Sequence, residues 1–146
     1  MSYQGFTPMP PIEQIISHNQ IIAIIISHEF EKDGIEFFTP GTFSQQLGYM
    51  KHQRGETIQE HIHVLHVREV QFTQETLFIK KGRVKINFYH PDNTFFTSRE
   101  LKTGDVILLA SGGHGFEFLE ETEIIEVKQG PYCDDRDKER FVGKKE

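Results

Sequence analysis

At 146 residues and 17.0 kDa the chain has the length of one domain, which excludes an enzyme built from two domains around a shared cleft. With 36% hydrophobic, 12% aromatic and 26% charged residues, and thirteen Phe among them, it carries enough apolar material for a core and is not a disordered chain. Sixteen Lys and Arg against 22 Asp and Glu leave a net charge of −6, so the clustered positive charge that a nucleic acid requires is not expected.

In chain order, residues 1–11 contain three Pro and one Gly and read as an extended N-terminal arm. Ile12, Ile15 and Ile16 then stand at helical spacing and predict one short helical turn ending near His18-Asn19. Ile21 to Phe30, the turn Glu31 to Gly34, and Ile35 to Thr39 read as strand, turn, strand, because Asp33-Gly34 supplies the positive φ of a tight hairpin. Ile21 to Ile26 is apolar on both faces, and in a small barrel one of those faces would be left in water. A homodimer is therefore expected, with this strand or its hairpin against a second subunit. The same run is the longest apolar stretch and is far too short to cross a membrane, so no membrane partner is expected.

From Phe43 onward the chain is a succession of β-type runs: Phe43 to His52, Ile58 to His66, Thr76 to Lys80, Arg83 to Tyr89, Thr94 to Glu100, Val106 to Ala110, His114 to Leu119 and Ile124 to Gln129. Gly55, Lys81-Gly82, Pro91-Asp92-Asn93, Thr103-Gly104-Asp105 and Gly112-Gly113 separate them with the glycine and Asx chemistry of reversals. Many short strands with few helices predict an all-β sandwich or small barrel. Residues 131–146 form a charged, Gly-broken tail, either a short helix or a strap across the barrel. The single cysteine, Cys133, excludes an intrachain disulfide framework and fits a reducing compartment, so a cytoplasmic protein is expected.

Chemistry concentrates in the histidines. In a strand, His61 and His63 project to the same side of the sheet, so together they form either half of a metal site or a solvated polar face. His66 would face the other way unless a bulge turns it inward, where it would be the first candidate to move protons. Glu126 and Lys128 also share one face, either toward the interior, where they could orient a substrate, or toward solvent. Arg68 could reach over the barrel mouth to bind a carboxylate or phosphate in bidentate fashion.

Gly55, five residues, His61-Ile62-His63, then Glu75, six residues and Gly82, followed by Gly104, five residues, Ala110, Gly112 and His114, resembles the paired motifs of the cupin family. The resemblance covers residues 41–129 and implies a double-stranded β-helix, or jelly-roll barrel, holding one metal ion. Carried over position by position, it makes His61, His63, Glu75 and His114 the ligands. The chain departs from the family pattern in three ways: eleven residues separate His63 from Glu75, Ala110 stands where Pro is usual, and His114 arrives one residue early with no Asn after it. Glu69 is the other carboxylate within reach of the motif, but Thr76 would then stand where the motif has glycine, so Glu75 with Gly82 fits better.

Three imidazoles and a carboxylate suit Fe, Mn, Zn, Ni or Cu as a divalent ion and leave a position open for water or substrate. The residues around Gly112 to Phe116 and Glu126 to Tyr132 are similar to a subgroup of small single-domain cupins, with a loose likeness to cupins of sugar metabolism. The expected function is action on a small polar metabolite bound in the barrel, a sugar or sugar derivative, as an isomerase or epimerase or as a dioxygenase. The alternative is a non-catalytic binding or structural protein.

Overall fold

The computed structural model describes residues 10–134 and 136–145, so the proposed N-terminal arm lies almost entirely outside the described residues. Ten strands make up its regular structure: β1 (Ile12–Ser17), β2 (Gln20–Ile26), β3 (Gly34–Phe37), β4 (Gly48–Lys51), β5 (Glu75–Lys81), β6 (Arg83–Tyr89), β7 (Phe95–Lys102), β8 (Val106–Leu109), β9 (Gly113–Phe118) and β10 (Glu123–Lys128). They pair antiparallel into a five-stranded sheet, β1-β2-β8-β5-β10, a three-stranded sheet, β7-β6-β9, and the hairpin β3-β4. The protein is thus all-β, and its sheets do not close on themselves. No helix among the described residues is long and apolar enough to cross a membrane.

The two larger sheets enclose the core. β6 shows the period-two logic most simply: Val84, Ile86 and Phe88 are fully buried while Arg83, Lys85, Asn87 and Tyr89 between them are not. Opposite lie Ile15, Ala23, Ile25, Leu77, Ile79, Ile107 and Leu109 of the larger sheet, joined by Leu101 of β7. The turn between β5 and β6 depends on Gly82, whose φ is +102° and where a Cβ would stand 2.4 Å from the Glu121 carbonyl.

Three readings of the N-terminal half are corrected. The isoleucines expected to form a helical turn are β1, with Ile15 buried and Ile16 exposed on opposite sides and a register shift between them. That shift lets β-branched residues at helical spacing serve a strand. Second, β2 does not pair with β3. His18 and Asn19, at φ 48° and 61°, turn β1 directly into β2, while β3 takes β4 as its partner. Third, Ile22 to Ile26 are all buried within the chain, because β2 lies between β1 and β8 and both of its faces are covered. Its apolar surface therefore gives no reason for a dimer.

Asp105 holds the turn into β8. Its side chain is completely buried: Oδ1 accepts from the His28 backbone N–H at 2.8 Å and lies 2.9 Å from His28 Nδ1, and Oδ2 accepts from the Lys102 N–H at 2.8 Å. An amide in place of the carboxylate would point two hydrogens at one of these donors. Asp105→Asn is expected to destabilise the protein by about 1–3 kcal/mol in urea unfolding and Asp105→Ala by about 3 kcal/mol or more, with the fold's far-UV signature retained.

Candidate functional site

The inner faces of β5, β9 and β10 come together at one side of the sandwich. On β5, Glu75, Leu77 and Ile79 point inward in alternation, and the register with β10 sets Lys128 opposite Glu75 and Glu126 opposite Leu77. Glu126 and Lys128 are therefore on the inner side, with Nζ and Oε1 3.9 Å apart, and Ile125 and Val127 on the outer. On β9, His114 lies opposite Phe88, Phe116 opposite Ile86 and Phe118 opposite Val84, so these three share the inner side as well.

His114 Nε2 and Glu75 Oε2 are 3.4 Å apart, a contact between strands of different sheets. Both side chains are about three-quarters or more buried. The His114 ring beside it holds the Glu75 carboxyl below the usual carboxylate range; burial opposes this, and Lys128 and Lys138 assist. The start of β5 is fixed from behind by Gln74, which is buried: its N–H donates to Gln129 Oε1 at 2.6 Å, and its side-chain oxygen accepts from the Gln45 N–H at 3.1 Å and the Ser44 hydroxyl at 3.3 Å.

A cleft of about 790 Å³ opens over Glu75 and His114. Its far wall is the C-terminal tail, strapped across the three-stranded sheet: the Phe95 N–H donates to the Lys144 carbonyl at 2.8 Å and the Lys144 N–H to Asn93 at 2.9 Å. Phe141 packs edge-on against Tyr89, and Asp137 accepts from the Thr73 hydroxyl at 3.0 Å. Asp137, Lys138 and His90 all line this cleft and were not found in the sequence. His90 is marked only as the residue before a Pro-Asp-Asn turn, and the tail residues only by their charge, signals shared by any surface loop.

His61, His63, His66, Arg68 and Glu69 lie elsewhere. They belong to the stretch between β4 and β5, which is exposed and in no strand. The His61 and His63 rings are 5.3 Å apart, and His61 Nδ1 donates to the Gln59 carbonyl at 2.9 Å. Arg68 donates to the His66 carbonyl, and Glu69 accepts from Gln71. The structure therefore brings together Glu75 and His114, sets Lys128 opposite Glu75 with Glu126 beside it but outside the lining of the cleft, and leaves the His-X-His pair apart. Among the described residues no three His, Cys, Asp or Glu side chains gather around one point.

No protein-family model, curated protein or solved structure matches the chain.

Because the folded pKa of Glu75 is depressed, its ionised form stabilises the native state above the unfolded carboxylate value, about 4.3, and that contribution is lost as pH falls through the lower folded value. Glu75→Gln is expected to cost on the order of 1 kcal/mol at pH 7. The gap between the variant and the parent in urea unfolding should narrow steadily below about pH 4.3 and stay constant above it.

Proposed function

We propose that the chain is a small cupin-type protein, its two facing sheets the halves of a jelly-roll barrel, which binds a divalent metal ion and a small polar metabolite in the cleft over Glu75 and His114. The observation that supports this most directly is the convergence of those two residues. They lie on different sheets, 39 positions apart in the sequence, and are two of the four positions that the motif assigns to metal binding. A largely buried carboxylate held ionised beside an imidazole is a ligand pair suited to a first-row divalent ion such as Fe, Mn, Zn, Ni or Cu. One chain supplies half of a ligand set in this way; His61 and His63 would complete it.

The metal, when bound, would supply Lewis acidity or a redox centre at an open position. The protein's own contribution is binding and orientation. Glu126 and Lys128 lie on the inner face of β10, Lys128 opposite Glu75, and would present one acceptor and one donor to a ligand that reaches past the cleft toward β10, a combination suited to the hydroxyl groups of a sugar or sugar derivative. Isomerisation or epimerisation and oxygen-dependent oxidation are the reactions compatible with such a site. Binding without turnover is the alternative, and the width of the cleft, open to solvent over a pair of ligands, favours it in the isolated chain.

Metal content and affinity decide the matter. Protein purified without added metal, then titrated with Mn(II) and Zn(II), is expected to bind near stoichiometrically. Glu75→Gln and His114→Ala should each weaken binding about tenfold or more, whereas Glu69→Gln should leave it unchanged. Metal affinity indifferent to Glu75 and His114 would sink the reading. Stoichiometric iron with substrate-dependent oxygen uptake would select oxidation.

A further inference from the structure

Between β4 and β5 the chain runs through residues 57–72 without a strand partner. Among the described residues, the hydrogen bonds of this arm are local, such as His61 to Gln59, Arg68 to His66 and Gln71 to Glu69. Its large apolar side chains stand in water: Ile62 is 86% exposed, Leu65 97%, Val67 88% and Phe72 76%, with Ile58, Val64 and Val70 also exposed. Its composition is not that of a linker. It has neither Gly nor Pro, and Ile58, Ile62, Val64, Val67, Val70 and Phe72 are strand formers.

The same chain contains the surface that such an arm would fit. Among the described residues β9 pairs only with β6 and β10 only with β5, so both sheets end in free edges, and β9 carries Gly113 and His114 into the lining of the cleft. Phe116 and Phe118 lie on the inner side of β9, the edge strand of its sheet, yet are 39% and 60% exposed. Ile35, Phe37 and Met50, on the hairpin leading into the arm, are uncovered as well. An unpaired edge beside uncovered aromatics is a template for an added strand.

We propose that residues 57–72 are exchanged between two copies of this chain, each arm adding as a strand to the free β9 edge of the other copy. In an extended strand His61 and His63 share a face with Leu65 and Val67. With that face turned inward, His61 and His63 of the partner subunit meet Glu75 and His114, so the ligand set is completed between chains. This last clause rests on the metal reading above; the exchange itself does not.

The occupant is a second copy because arm and edge belong to one sequence, and a twofold axis satisfies both reciprocally with neither left over. Leu65 and Val67 go inward with the two histidines, and each can remove roughly 60–120 Å² from water. The receiving side adds Phe116 and Phe118, and the backbone ladder along the β9 edge joins the two copies.

Light scattering at micromolar concentration should give twice 17.0 kDa. Leu65→Asp, at a position that is 97% exposed in the isolated chain, should retain the parent circular dichroism and weaken association about a hundredfold. A parent mass of one chain, or a dimer indifferent to Leu65→Asp, would overturn the exchange. To locate the ligands, two differently tagged full-length chains are co-expressed, one carrying His61→Ala and His63→Ala, the other Glu75→Gln and His114→Ala. Each alone should bind no Zn(II), and the purified mixed dimer should bind one ion, half the parent stoichiometry. A mixed dimer without zinc, where the parent binds it, would place all four ligands within one chain and refute the delivery in trans. A parent dimer that dissociates with Leu65→Asp but never binds metal would refute the metal reading and leave the exchange standing.

Discussion

A five-stranded sheet faces a three-stranded one, and the narrower sheet cannot cover the whole inner side of the wider. Most of the protein's architecture follows from how this mismatch is resolved at each side. At the β1 side the gap is closed by an ion pair: Arg99 on β7 donates through Nε to Glu13 on β1 at 2.7 Å, which ties the two outer strands together. At the β10 side the contact between the sheets is that of His114 with Glu75, which lies inside the edge strand, and beyond it the inner faces of β9 and β10 open to solvent. Apolar burial therefore fills one half of the sandwich and stops short of the other, so the residues that would otherwise be core become the lining of a cleft.

The polar side chains in that half are not scattered. Glu75 and Leu77 are successive inward positions of one strand, the first ionised and the second buried in the core, so the boundary between core and cleft is crossed within a single side-chain repeat. Such a boundary needs a rigid backbone. Gln74, anchored to Ser44, Gln45 and Gln129, supplies it by satisfying the polar groups of the strand's first turn away from water. A buried amide network immediately before a carboxylate directs that carboxylate and leaves the following residues free to pack.

The part of the fold legible in the sequence is the part in which local chemistry decides. β6 coincides with its expected bounds, and β5, β7, β8, β9 and β10 lie within a few residues of theirs, because Lys81-Gly82, Pro91-Asp92-Asn93 and Thr103-Gly104-Asp105 specify reversals by backbone conformation alone. Strand partners are another matter. Asp33-Gly34 does begin a strand, but no local signal reveals that β3 pairs forward with β4 and not back with β2. Ile12, Ile15 and Ile16 read as a helix because a register shift disguises a strand's alternation. At the site, the glycine spacing that preferred Glu75 to Glu69 points to the carboxylate that the structure sets beside His114, while Ile58 to His66 has a strand's pattern with no strand partner among the described residues.

Gly113 opens β9, next to His114, and its missing side chain has a further effect. A Cβ there would lie 2.5 Å from the Phe141 ring and 3.3 Å from Tyr89 Cβ. The aromatic ring of the tail is thus seated in the space of an absent methyl group, on the strand that carries a site residue. The far wall of the cleft and His114 share one anchor, so a displacement of either is felt by the other. Whatever enters the cleft and presses on its C-terminal wall presses on the same contact that seats the first residue of the strand carrying His114.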